Sequence, residues 1–206
     1  MIHPDARVDP TADLGDGVEI GPGTIVGRDV RVGAGASIGA RCRIHDGVRL
    51  DGGVRIDDEV LVGPAAILTN DRYPRAIAWD GDPADGDGSP MAIRLEHGAS
   101  IGAGAIVVGP CDVRRFATVG AGAVVSGTVP AHALVAGVPA RRIGWVCACG
   151  RRLDDSNGAP APPVVERYGS DPFLNCPRCE RRYVYVPDDD DLEERQGPRV
   201  RQGAGA

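Results

Sequence analysis

From Ile2 to Leu68 an aliphatic residue returns at every sixth position without a gap: Ile2, Val8, Leu14, Ile20, Val26, Val32, Ile38, Ile44, Leu50, Ile56, Val62 and Leu68. A period of six fits neither the 3.6-residue turn of an α-helix nor the alternation of an isolated strand. It is a hexapeptide repeat, the mark of a parallel β-helix. Two residues before each aliphatic position stand small or β-branched residues, among them Ala6, Val18, Thr24, Ala36, Cys42 and Ala66. The residue just after is often glycine: Gly15, Gly21, Gly27, Gly33, Gly39 and Gly63. These glycines are expected to supply turn conformations that a Cβ resists. Three six-residue edges make a coil of eighteen residues. Ile2 should then lie beneath Ile20, Ile38 and Ile56, at about 4.8 Å per coil. No coil buries its apolar set alone, so stability comes from stacking.

The phase breaks once. After Leu68 the pattern stops and resumes with Leu95, Ile101, Val107, Val113, Val119 and Val125. Residues 69–94 are therefore an excursion from the prism, with loop composition from Asp80 to Gly88. A long loop on a regular scaffold is a place for function.

The chain has 206 residues, 30 glycines, 4% aromatics and net charge −6, which suits a thin soluble solenoid better than a thick core. The acidic balance argues against general nucleic-acid binding. No signal peptide or membrane-spanning apolar run is found, so a cytoplasmic location is expected. The chain contains no lysine, which removes lysine-based acid, base and Schiff-base chemistry.

Cys42 and Cys111 fall on inward small positions and read as buried apolar residues. Cys147, Cys149, Cys176 and Cys179 lie beyond the prism as Cys-Ala-Cys-Gly and Cys-Pro-Arg-Cys, 26 residues apart. Two such turns, each followed by Arg-Arg, read as a structural Cys₄ zinc site in a ribbon-like domain over 145–187. A disulfide pair is the rival reading, which a cytosolic location disfavours. Residues 157–163 read as a loop, and the acidic tail 188–206 as disordered and solvated.

The repeat, followed by Gly137-Val138-Pro139-Ala140-Arg141-Arg142-Ile143-Gly144, resembles the left-handed β-helix acyltransferases over residues 1–144. The resemblance implies left-handed crossovers, an exception to the usual handedness, and a homotrimer. Val62 to Asn70, then Tyr73-Pro74-Arg75, is similar to a motif of the nucleotide-linked amino-sugar N-acetyltransferases, some of which carry a cysteine-rich appendix after Ile-Gly-Trp, here Ile143-Gly144-Trp145. That subgroup includes enzymes acting on UDP-2-acetamido-3-amino-2,3-dideoxyglucuronate and on dTDP-3-amino-hexoses. The Asp- and Gly-rich excursion departs from its pattern.

The implied reaction is acetyl transfer from acetyl-CoA to a sugar amine, requiring orientation and hydrogen bonds to a developing oxyanion. Asn70 is expected to accept from the amine. His45, on an exposed turn, is a candidate base, with His97 a candidate substrate contact. Thr69 and Arg75 are expected at the sugar nucleotide. Gly102, Ala103, Gly104, Gly120, Ala121 and Gly122 are candidates to line the pantetheine groove, and Pro139, Arg141 and Arg142 to meet coenzyme A. Each also has a plain reading as turn chemistry or a solvated side chain. Zinc carbonic anhydrases on this fold carry a His-x₄-His pair, which is missing here. A non-catalytic β-helix scaffold with a zinc ribbon for protein contacts is the remaining alternative.

Overall fold

A computed structural model describes residues 1–71, 75–77, 93–153, 173–186 and 190–196. The strands are short and numerous. The first half of the prism contains β1 (Arg7–Val8), β2 (Asp13–Leu14), β3 (Glu19–Ile20), β4 (Ile25–Val26), β5 (Arg31–Val32), β6 (Ser37–Ile38), β7 (Arg43–Ile44), β8 (Arg49–Leu50), β9 (Arg55–Ile56), β10 (Leu61–Val62) and β11 (Ile67–Thr69). After the excursion come β12 (Ile93–Leu95), β13 (Ser100–Ile101), β14 (Ile106–Val108), β15 (Cys111–Val113), β16 (Thr118–Val119), β17 (Val124–Val125), β18 (Ala133–Ala136) and β19 (Arg141–Trp145). A separate sheet holds β20 (Phe173–Asn175), β21 (Arg182–Val186) and β22 (Asp191–Gln196). No helix occurs among the described residues, and none is long and apolar enough to cross a membrane.

As far as β17 every third strand pairs in parallel, giving three faces; β16 then pairs in parallel with β18, and β18 antiparallel with β19. One has eight strands in the order β1-β4-β7-β10-β13-β16-β18-β19, one six (β17-β14-β11-β8-β5-β2) and one five (β15-β12-β9-β6-β3). The architecture is a parallel β-solenoid. The register is the one the repeat implies: Ile2 pairs with Ile20, Ile20 with Ile38, and Ile38 with Ile56. After the break Ile56 pairs with Leu95, so the excursion is inserted without disturbing the stack. Ile93 and Arg94 already belong to β12 and Thr69 still to β11, which trims the excursion to residues 70–92.

Side chains at the aliphatic register point to the axis, where Val62, Leu68, Leu95, Ile101 and Val119 are fully buried. The small register lies beside them, and Thr24 is satisfied there: its hydroxyl donates to the Gly39 carbonyl and accepts from the Cys42 amide. Cys42 and Cys111 are buried, and burial raises both thiols, Cys111 to about 11.

The glycines after the aliphatic position do a different job from the one expected. Gly15, Gly21, Gly33, Gly39 and Gly63 are outside the left-handed region. A Cβ at any of them would lie under 3.0 Å from an atom of the coil above. They permit close stacking of coils. The left-handed residues come two positions later and include Asp29, Arg41, Glu59, Ala65, Phe116 and His132 as well as glycines.

The solenoid ends under the three-stranded antiparallel sheet. The acidic stretch that reads as a solvated tail supplies β22, which contradicts that expectation for Asp191–Gln196. The physical reason is pairing. Asp191 is buried, accepting from the Ala131 amide at 2.5 Å and from Arg114 Nη1 at 2.9 Å. Both carboxylate oxygens of Asp190 take Arg142 Nη1 at 2.8 Å, and Leu192 is fully buried. The segment 157–163 and residues 197–206 lie outside the described residues.

A column of rings links the prism to this sheet. His97 meets Phe116 edge-on at 5.3 Å, Phe116 stacks on His132 at 5.2 Å, and His132 packs on Tyr183 at 4.8 Å. Burial holds His132 neutral and lowers its pKa to about 4, although its Nδ1 faces the Val146 carbonyl at 2.9 Å. Unfolding returns it to its ordinary value of 6.5, so below that pH protons favour the unfolded chain. The stability His132 provides is complete above pH 6.5 and is lost as pH falls toward 4, by up to roughly 3 kcal/mol. Melting temperatures from about pH 7 to about pH 5 should fall less steeply in His132→Phe than in the parent.

Candidate functional site

The three corners of the prism carry different chemistry. The corner between the eight- and six-stranded faces holds His45, Gly63, Gly102–Gly104 and Gly120–Gly122, one above another. The His45 amide donates to Val62 O, Gly63 to Ile101 O and Gly102 to Val119 O. The corner between the six- and five-stranded faces holds Asp51, Gly52 and Asn70, where the chain leaves β11. The third corner holds His97, Phe116 and His132.

At the glycine corner, Gly104 and Gly122 are left-handed, and a Cβ on either would meet nothing within 4 Å. With Ala103 and Ala121 as the only side chains between them, the floor is smooth enough for a linear chain. Of the backbone amides of the six residues expected to line the pantetheine groove, four are committed between coils: Gly102, Gly104, Gly120 and Gly122 donate to Val119, Pro64, Val135 and Ala103 carbonyls. Among the described residues, the Ala103 and Ala121 amides carry no such bond. His45 is exposed two coils below Gly102, on this corner and not on that of Asn70.

At the exit corner Asn70 is half-buried and held twice from the coil below. Its backbone amide donates to Asp51 Oδ2 at 3.1 Å, and its side-chain Nδ2 donates to the Gly52 carbonyl at 2.8 Å. From above, the Gly109 amide donates to Thr69 O at 2.8 Å. One N–H of the carboxamide is thereby committed, and the oxygen is the group's acceptor. Asp51 and Gly52 are hydrogen-bond partners of Asn70 that reading the motif missed. The signal was available: they sit 19 and 18 residues before Asn70, one coil apart.

Arg75 is exposed, and Tyr73 and Pro74 lie outside the described residues. His97 is not brought to Asn70. It lies at the far end of the five-stranded face, with Nε2 3.6 Å from Glu59 Oε2. At the top of the prism a cavity of about 340 Å³ is lined by Val124–Pro130, Val135, Pro139–Arg142 and Asp190. Arg141 is exposed beside it. Arg142 is already engaged, paired with Asp190 and placed 4.4 Å from the Trp145 ring centroid. It fastens the C-terminal sheet to the prism and offers little to a phosphate.

The four cysteines outside the prism converge, with all four Sγ atoms within 4.8 Å of one another. Cys147 and Cys179 are 3.5 Å apart, and Cys149 and Cys176 3.6 Å, too long for disulfides. Zn–S bonds of about 2.3 Å in a tetrahedron demand sulfur separations of this order. Burial pushes the Cys147 thiol up to about 12. Burial acts the same way on Cys179, but hydrogen bonds from the Arg181 amide and the neighbouring thiols outweigh it and bring that thiol to about 7.

No protein-family model matches the chain. Among curated proteins, 87 residues are 35% identical to serine acetyltransferase of Escherichia coli, covering 41% of this chain and 31% of that one. A further match is 37% identical over 59 residues to dTDP-3-amino-3,6-dideoxy-α-D-galactopyranose 3-N-acetyltransferase of Aneurinibacillus thermoaerophilus, covering 29% and 31%. The curated relatives are acetyltransferases. The chain spans about a third of their length. Of the solved structures, a variant of GDP-perosamine N-acetyltransferase from Caulobacter crescentus, in complex with CoA and GDP-perosamine, has 28% identity and a TM-score of 0.42, covering 69% of this chain and 55% of that one. The acetyltransferase domain of PglB from Neisseria gonorrhoeae, in complex with acetyl coenzyme A, has 25% identity and a TM-score of 0.43, covering 69% and 56%.

Proposed function

We propose that this chain is an acetyl-CoA-dependent N-acetyltransferase acting on a nucleotide-activated 3-amino sugar. The observation that carries the reading is the smooth double rung Gly102-Ala103-Gly104 and Gly120-Ala121-Gly122, with two uncommitted amides, on a prism whose adjoining corner presents Asn70. Pantetheine lies along the rungs, and the Ala103 or Ala121 amide receives the thioester oxygen. The amine, oriented by the Asn70 carboxamide oxygen, attacks the carbonyl carbon. The C–S bond breaks, coenzyme A leaves as the thiolate, and the amine proton passes to that thiolate or to solvent. A thioester is activated enough that orientation and oxyanion stabilisation suffice.

Within one chain the Asn70 corner and the glycine corner are a whole face apart, roughly 15–20 Å for six residues. The reaction therefore needs the Asn70 corner of one copy against the glycine corner of a second. A homotrimer, which the resemblance implies together with left-handed winding, would supply that second copy. The four cysteines fit one structural zinc ion, because four thiolates close a tetrahedral shell and leave no catalytic position.

Thiol release from acetyl-CoA, screened against UDP- and dTDP-linked amino sugars, tests the activity. No acetyl-CoA binding at millimolar ligand leaves the scaffold reading. Asn70→Ala is expected to lower kcat about 100-fold with the oligomer intact. Unchanged turnover in that variant removes Asn70 from the site.

A further inference from the structure

Asn70 is the residue at which the chain leaves the prism, and among the described residues its hydrogen bonds come from the coil below. The coil below provides two. Asp51 follows the inward Leu50, and its own amide donates to Leu68 O at 3.0 Å, which sets the two coils in register immediately before the exit. From that position Oδ2 accepts the Asn70 N–H, and the next carbonyl, Gly52 O, accepts Asn70 Nδ2. A carbonyl oxygen only accepts, so this contact decides which end of the carboxamide faces inward. With the Gly109 amide bonded to Thr69 O from above, the Thr69–Asn70 peptide is gripped from both coils.

We propose that Asp51 is the positioning residue of acyl transfer: by holding the Asn70 backbone it aims the carboxamide oxygen at the acceptor amine. The proposal rests on the acetyltransferase reading given above. Asp51 acts through Asn70, so it works by its acceptor oxygen and not by its charge. Asp51→Asn keeps an acceptor oxygen, whereas Asp51→Ala removes it.

Steady-state kinetics on the intact oligomer test this. Asp51→Ala is expected to lower kcat about 10- to 100-fold, with the KM for acetyl-CoA unchanged because the thioester lies on another corner. Asp51→Asn should retain most of kcat and keep the parent pH profile. The double variant Asn70→Ala/Asp51→Ala should be no slower than Asn70→Ala, the non-additivity of residues that act in series. Amide hydrogen exchange at Asn70 should quicken in Asp51→Ala whether or not substrate is present. Full kcat in Asp51→Ala, or additive losses in the double variant, overturns the proposal. So does an Asp51→Asn variant as slow as Asp51→Ala, since that would assign the effect to charge or proton transfer. If Asn70→Ala keeps full turnover while acetyl-CoA is consumed, the parent reading of Asn70 fails instead. Loss of turnover in Asn70→Ala but not in Asp51→Ala removes this inference alone.

Discussion

Cys176→Ser is expected to reduce bound zinc from one ion per chain to none and to release the C-terminal sheet while the prism stays folded. Cys147 and Cys149 follow β19 directly, whereas Cys176 and Cys179 stand between β20 and β21. The cluster therefore ties the end of the prism to the separate sheet. Without a cation, four thiols within 4.8 Å of one another are a poor tether, because burial opposes ionising Cys147 even where Cys179 titrates near about 7. A divalent ion held by Cys147, Cys149, Cys176 and Cys179 as thiolates would reverse this, with an apparent affinity worth about 10–16 kcal/mol in small zinc modules. The apolar set of the sheet is small: Leu174, Tyr183 and Leu192, in one buried cluster with Leu153 and Trp145. Trp145 is fully buried, covered by Arg142 and edged by Tyr185 at 5.7 Å, so its emission reports docking of the sheet. In a Trp79→Phe background, metal analysis should fall to zero in Cys176→Ser and Trp145 emission should shift to the red. The main melting transition of the prism should remain. A metal-free parent with a protected Trp145 would reject the zinc reading.

How much of this was legible follows from what repeats and what does not. The inward rows were written in the period, so Ile2, Ile20, Ile38 and Ile56 could be stacked before any coordinates. The same arithmetic places Asn70 one coil above Gly52, but corner residues carry no periodic residue type, so Asp51 does not stand out from its neighbours. His45 and His97 both stand on turns, and a place on a turn does not tell which of the three corners it occupies. Within one chain both corners differ from that of Asn70, although His45 shares the glycine corner that the proposed assembly sets against Asn70 of a second copy. The acidic run from Asp190 failed for a different reason. Its carboxylates are stabilised by Arg114, Arg142 and the Ala131 amide, partners 48 to 77 residues away that no local window contains. Composition alone sees only the charge.

The glycines give the sharpest separation between turn geometry and packing, and it is measurable. Gly33→Ala is expected to destabilise the prism by about 3 kcal/mol or more, whereas Gly35→Ala in the same turn should cost about 1 kcal/mol. Gly35 has φ of 68°, which an alanine resists, yet a Cβ there meets nothing within 4 Å. The solenoid tolerates this strain elsewhere, since Ala65 at 55° and Glu59 at 61° occupy the equivalent position in other coils. Gly33 has no such φ, but its Cβ would land on the Gly52 amide nitrogen and the Asp51 carbonyl carbon, under 3.0 Å from each. Those atoms are backbone, held in place by the Gly33 amide donating to Leu50 O at 2.7 Å and the Gly53 amide donating to Ala34 O at 3.0 Å. Relief requires the coils to part, which strains every contact at that rung and displaces the Asp51–Gly52 pair on which Asn70 rests. Gly33→Ala should therefore also lower turnover per folded oligomer, and Gly35→Ala should not. Chemical denaturation of the two variants, read beside their kcat, decides the matter. Equal destabilisation would mean that turn conformation, not coil spacing, sets the glycine requirement.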